Sequence, residues 1–209
     1  MRKTRELILE TALRLFARRG FAGVSVRDIA GELELTASAL YVHFRSKQEL
    51  LEAILRRMEE RDAEISRQNM VPQEPAVQNP ASYDQVDLEN LVPFTLDFFR
   101  HWTEDAFAVQ FRHLLTIEQY RDRHFAELYQ QYLGSGVIQY LEDIFRKNVS
   151  GDDAQDLAVS YFALFHFLLG QYDVQPTKKA KAALTRRLER HLRDFIARLK
   201  CGNYTVSLS

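Results

Sequence analysis

The chain has 209 residues, 46% apolar and 27% charged, a balance that excludes wholesale disorder and allows a core needing no disulfide or metal. Its formal charge of -1 gives no overall pull toward a polyanion, yet residues 1–50 hold nine basic against six acidic side chains, a +3 head on a -4 remainder. One cysteine, Cys201, excludes an intrachain disulfide, and the start Met1-Arg2-Lys3 runs into an amphipathic pattern without a signal-peptide stretch, so a cytoplasmic location is expected.

Strict alternation is absent and 3.6-residue periodicity recurs, which predicts an all-α chain of about nine helices. Leu7, Ile8, Thr11, Ala12, Leu15 and Phe16 make one stripe of a first helix, ended by Gly20. Ser25 caps a second helix, with Asp28 placed to reach back to the cap and Val26, Ile29, Ala30 and Leu33 facing inward. After a short turn Thr36 caps a third helix containing Leu40, Tyr41 and Phe44. Ser46-Lys47-Gln48-Glu49 is a capping box for a fourth, whose inner stripe is Leu50, Leu51, Ile54, Leu55 and Met58. The expected division is a three-helix head at 1–47 and a helical body at 48–209. Within the body, residues 68–86 read as a long loop, with Pro72, Pro75 and Pro80 among Gln, Asn and Ser.

Helical patterning resumes at 87–103, 105–118, 122–148, 153–171 and 177–200. Gly134-Ser135-Gly136 bends the third of these, splits it or allows close packing there; periodicity does not choose. Leu157–Leu169 is apolar on every face but spans only about 20 Å, too short for a hydrocarbon core of ~30 Å. Such a helix needs cover on both sides, its own core on one and a second copy of the chain on the other. The final helix is its natural neighbour, with Leu184, Leu188, Leu192, Phe195, Ile196 and Leu199 inward and Arg186, Arg187, Arg190 and Arg193 opposite. Helices 153–171 and 177–200 of two copies would form a four-helix, two-fold interface, a homodimer and not a membrane contact.

Three short helices with a tight turn between the second and third make a helix-turn-helix, whose third helix enters the major groove of double-stranded DNA. The small residues Thr36, Ala37, Ser38 and Ala39 allow close approach. Thr36 and Ser38 can hydrogen-bond base or phosphate, and the Ala37 methyl can meet a thymine methyl. Arg27, in the first turn of the second helix, is the candidate for a bidentate guanine contact. Tyr41, His43 and Lys47 suit phosphate oxygens, Val42 lies between them, and the amides at the helix starts near Ser25 and Ser46 are further anion sites.

Residues 5–55 resemble the DNA-binding domain of the TetR (tetracycline repressor) family. The residues that carry the likeness are Ile8, Ala12, Leu15-Phe16, Gly20-Phe21, Ser25-Val26-Arg27-Asp28-Ile29-Ala30, Leu40-Tyr41-Val42-His43-Phe44 and Ser46-Lys47-Gln48-Glu49-Leu50-Leu51. Where the family usually has Ala-Gly-Val in the turn, this chain has Leu33-Glu34-Leu35, and Ser38 replaces a common glycine. A positive φ at Glu34 would cost about 1 kcal/mol unless the turn adjusts. The resemblance implies a homodimeric regulator of transcription, a repressor whose helical body binds an effector that changes the spacing of the two heads.

The body is rich in aromatics, and a lipophilic or aromatic effector is expected among residues 94–166, with Phe98, Trp102, Phe111, Glu118, Tyr129, Phe165 and His166 as candidate contacts. No cofactor, metal or enzymatic activity is expected: the chain has no glycine-rich phosphate loop, nucleophile elbow or zinc spacing. The rival reading is a DNA-organising or interaction protein with the same head and no small-molecule effector.

Overall fold

The computed structural model describes residues 2–73, 83, 86–146 and 153–201. Over these the chain is helical with no strand: α1 (Arg2–Arg19), α2 (Val26–Glu32), α3 (Ala37–Tyr41), α4 (Lys47–Gln68), α5 (Leu88–Glu104), α6 (Ala106–Glu118), α7 (Arg123–Leu133), α8 (Ser135–Phe145), α9 (Asp153–Asp173) and α10 (Lys178–Lys200). Most of the expected 68–86 loop lies outside the described residues. Among those described, no helix is long and apolar enough to cross a membrane.

The expected 122–148 helix is two helices, split at Gly134. Its backbone leaves the helical region (φ -134, ψ -126), and a Cβ there would fall 2.2 Å from Gln130 Oε1. That same Gln130 oxygen accepts the Ser135 amide at 3.1 Å and so starts α8.

The chain divides into two compact units, Met1–Asp62 with Glu104–Tyr129, and Ala63–Thr103 with Gln130–Ser209 so far as these are described. The first unit therefore extends beyond the expected boundary at residue 47, and the division falls inside α4 and α7. The reason lies on α1. Its buried residues are Ile8, Leu9, Ala12, Leu13, Leu15 and Phe16, more than one stripe, because α6 packs along the side that a lone three-helix head would leave open. Leu7, expected in the stripe, is instead 53% exposed. Arg57 of α4 adds a polar seam: its guanidinium lies 3.9 Å from the Phe107 ring centroid of α6 and pairs with Glu6 and Glu10 of α1.

The turn after α1 is the densest meeting point of this unit. Gly20 ends α1 at φ +80, its amide bonded to the Phe16 carbonyl at 2.9 Å in a left-handed C-terminal cap. The next amide, that of Phe21, donates to Glu118 Oε1 at 3.0 Å. A Cβ at Gly20 would sit 2.4 Å from that oxygen, so glycine serves both the backbone angle and the close approach. Glu118 is 4% exposed and also faces Arg121 at 3.6 Å. The Phe21 ring packs edge-on against Phe16 at 5.0 Å and against Phe125 of α7 at 5.4 Å.

The second unit is organised on α9. Tyr161 is fully buried; its hydroxyl donates to the Leu91 carbonyl at 3.0 Å and shares a hydrogen bond with Thr95 Oγ1 at 2.8 Å, both on α5. Burial pushes its ionisation well above the ordinary tyrosine range. Rings of Phe145 and Phe195 meet Tyr161 at 5.6 and 5.2 Å, which joins α8 and α10 to the same residue. The side of α9 away from these contacts leaves Val159, Ala163, Phe167 and Gly170 exposed, an i, i+4, i+8, i+11 stripe in which Phe167 is 60% exposed.

Loss of the Glu118 carboxylate strands the Phe21 amide. Glu118→Ala is expected to lower unfolding stability by about 1.5–3 kcal/mol, the worth of a hydrogen bond to a charged group. Denaturant unfolding checks this, and an unchanged midpoint contradicts it.

Candidate nucleic-acid interface

The two helices of the motif are short and hold their shape through end contacts. Ser25 caps α2: its Oγ accepts the Asp28 amide at 3.2 Å, and the Asp28 carboxylate accepts the Ser25 amide at 2.7 Å, a complete capping box. Hydrogen bonds from Ser25, side chain first and amide second, hold the Asp28 carboxyl below its usual range against a small opposing effect of desolvation. This cap is therefore formed near neutral pH and is lost as pH falls through the lowered value. Thr36 caps α3, its Oγ1 accepting the Ala39 amide at 3.1 Å.

Between them, α2 closes in a Schellman turn. The Leu35 amide donates to the Ala30 carbonyl at 2.9 Å and the Glu34 amide to the Gly31 carbonyl at 3.2 Å. Glu34 occupies the left-handed position at φ 55. The turn keeps the geometry that glycine favours, and glutamate bears the strain.

The expected DNA-reading residues differ in exposure. Leu40 and Phe44 are fully buried and seat α3. Thr36, Ser38, Tyr41 and Val42 are exposed, Tyr41 by 50% and Val42 by 76%, while Ala37 and His43 are half-buried. Val42 lies one residue past the end of α3. Arg27 stands exposed in the first turn of α2, with no hydrogen bond or ion pair among the described residues.

Lys47 is placed differently from expectation. Its Nζ donates to the Phe21 carbonyl at 2.8 Å and the Val24 carbonyl at 3.0 Å, and lies 4.5 Å from the Phe21 ring centroid. Two of its three donors thus hold the α1–α2 connection, which makes it first a positioning residue. It lines a surface cleft of about 420 Å3 with Ala22, Gly23, Val24, Ser25 and Asp28. The box expected at Ser46 is also modified: Ser46 Oγ accepts the Glu49 amide at 3.0 Å, but the Glu49 carboxylate accepts the Arg45 amide, one residue further back.

The seven expected effector contacts come from both units. Phe111, Glu118 and Tyr129 belong to the first unit, and Phe98, Trp102, Phe165 and His166 to the second. Glu118 is taken by the Phe21 amide. His166 is on the exposed side of α9, its ring 6.1 Å from that of Phe162. Phe98 is half-buried, with Trp102 edge-on at 6.0 Å and Phe165 stacked at 6.1 Å. Phe111 is fully buried, and burial raises the Tyr129 hydroxyl's ionisation.

Residues 8–54, the span of this motif and its supports, match the family model for bacterial regulatory proteins of the tetR family. The head of this chain is therefore similar to the DNA-binding head of the tetR family. The HTH-type transcriptional regulator YerO of Bacillus subtilis (strain 168) is 43% identical over 51 residues, 24% of this chain and 18% of YerO. The chain thus aligns with under a fifth of the length of the first curated relatives it matches. Likeness over the whole length comes from solved structures. A TerR/AcrR-family regulator from Aquifex aeolicus has a TM-score of 0.64 at 21% identity, covering 91% of this chain and 98% of that one. SmeT, repressor of a Stenotrophomonas maltophilia multidrug efflux pump, has a TM-score of 0.62 at 22% identity in its triclosan complex, covering 93% and 90%. The fold shared with these structures therefore extends through the helical body, while sequence likeness stays with the head.

The strained Schellman turn gives this head a simple test. Glu34→Gly relieves the positive φ and is expected to raise stability by about 1 kcal/mol, or roughly 2–4 °C in melting temperature for a chain of this size. A thermal melt that is unchanged or lower contradicts the strain at Glu34.

Proposed function

We propose that this chain is a sequence-specific DNA-binding transcriptional regulator, a repressor released from its operator by a small-molecule effector. The observation that carries the reading is the outward side of α3, where Thr36, Ser38, Tyr41 and Val42 are exposed over a buried Leu40–Phe44 seat. Small residues at the start of α3 let the helix enter the major groove, with Ala37 against a thymine methyl and Thr36 and Ser38 as hydrogen-bonding groups. Arg27 reads guanine, and Tyr41 and His43 meet phosphate. Lys47 keeps one donor for phosphate while its other two hold the loop.

The functional unit in this reading is a homodimer. The exposed Val159, Ala163, Phe167 and Gly170 of α9 supply an apolar, self-complementary strip. The outward arginines of α10 repel their own copies, so the interface centres on α9 and α10 flanks it. Two heads about 34–36 Å apart would enter successive major grooves. SmeT has been solved with triclosan, which supports an aromatic effector here. We assign Phe98, Trp102 and Phe165 as its wall, because Phe98 is the half-open edge of that ring cluster. An effector that prefers another head spacing weakens operator binding by linkage.

Selection of bound duplexes from a random pool tests the head and the dimer together. A two-fold symmetric motif is expected, lost on Arg27→Ala and weakened on Tyr41→Phe; an unenriched pool contradicts the reading. For the effector, thermal-shift titration with triclosan and similar aromatic compounds is expected to raise the melting temperature, by an amount corresponding to about 2.7 kcal/mol at a hundredfold excess over Kd. No shift with any hydrophobic compound contradicts the effector assignment.

A further inference from the structure

The last helix has a charge out of proportion to the chain. α10 holds nine lysines and arginines against Glu189 and Asp194, so it is +7 where the whole chain is -1, and everything else is -8. Its apolar residues Leu188, Leu192, Phe195, Ile196 and Leu199 are buried in the second unit. Three of its cations have partners: Arg193 with Glu189 at 2.8 Å, Lys200 with Glu89 at 2.7 Å, and Lys181 over the Tyr172 ring at 4.7 Å. Lys178, Lys179, Arg186, Arg187, Arg190 and Arg198 are exposed and have no ion pair among the described residues. Like charges at i, i+4, as in Arg186 and Arg190, oppose helix stability, so the fold gains nothing from this row.

The row is also aligned. Lys179, Arg186, Arg190 and Arg193 stand at i, i+7, i+11 and i+14, one side of the helix over about 21 Å. The exposed residues beside them are Ala182, Ala183 and Ala197, with Asp194 at the edge of the row. A row of one ammonium and three guanidinium groups among small residues is the electrostatic footprint of phosphate recognition. Duplex DNA fits it better than other polyanions. The face offers no aromatic ring for stacking bases of a single strand. It has no large apolar side chain to enter a bilayer, since those of α10 face the core.

We propose that the outer face of α10 is a second, sequence-independent contact for the phosphate backbone of double-stranded DNA. The choice of duplex over other polyanions rests on the DNA-binding reading of the head. A protein with this second contact holds DNA through its body as well as through α3, and can engage a second segment of duplex.

The test uses the full chain with a short fluorescent duplex lacking the selected motif, titrated across a salt series. The variants are Arg27→Ala and the triple substitution Lys179→Ala, Arg186→Ala, Arg190→Ala. The triple variant is expected to bind this duplex more weakly, with the slope of log K against log salt shallower by about 2.7, because three fewer phosphates are neutralised. It is expected to select the same motif as the unmodified chain, whereas Arg27→Ala loses the motif and keeps the α10 contribution. Gln at the same three positions, which removes charge but keeps a polar side chain, is expected to give the same slope and guards against a folding artefact of the alanines. An unchanged slope overturns the proposal. So does a triple variant that alters only binding to vesicles of anionic lipid, or one that changes the oligomeric state in sedimentation, which would place the row in the self-interface. If no motif is selected by any form but the slope still falls, the head reading fails and the α10 contact stands.

Discussion

Everything in the first unit depends on how the turn after α1 is held at Phe21. Its amide is fixed by Glu118, its carbonyl by Lys47, and its ring by Phe16, Phe125 and the Lys47 ammonium. One residue thereby joins α1, α4, α6 and α7. A buried carboxylate on the amide and a lysine on the carbonyl of the same residue satisfy groups that would otherwise be stranded, and each charge is used by backbone dipoles rather than by the other. Gly20 makes the arrangement sterically feasible, because any Cβ there would displace the Glu118 oxygen.

From that anchor the reading surface follows by local chemistry. The same Lys47 that holds Phe21 also holds the Val24 carbonyl, immediately before the Ser25 cap. The cap begins α2, the Schellman turn at Glu34 ends it, and Thr36 begins α3. The chain accepts a strained glutamate in that turn while keeping its hydrogen bonds. A five-residue helix has little stability of its own, so α3 owes its position to these ends and to Leu40 and Phe44 beneath it.

Features set by neighbours in sequence were legible in the sequence: the Ser25–Asp28 box, the Thr36 cap, the positive φ at Glu34, and the exposure of Thr36 and Ser38 over a buried Leu40. Each needs only residues within one or two turns. What stayed hidden depends on partners far along the chain. Lys47 suggested a phosphate contact because the carbonyls it binds are 23 and 26 residues away. The bond from the Phe21 amide to Glu118 spans 97 residues. The Gly134 split depended on how near Gln130 comes, which periodicity does not encode. His166 lay in an apolar run, but the run is apolar on all faces, so its side could not be told from pattern alone. Aromatic spacing likewise shows that residues are inward, not toward which core.

The body contrasts with the head in how it uses charge. The first unit sets three of its cations over aromatic rings, Arg5 over Phe44, Arg57 over Phe107 and Lys47 over Phe21. Helix α10 leaves six of its nine cations without an ion pair or ring contact among the described residues. The central claim remains that α3 is the element presented to a duplex. Hydrogen–deuterium exchange of the full chain, with and without a duplex at low salt, tests it most directly. Protection on adding DNA should appear at residues 25–28 and 36–43. Protection absent from the α3 segment, with DNA bound, would contradict it.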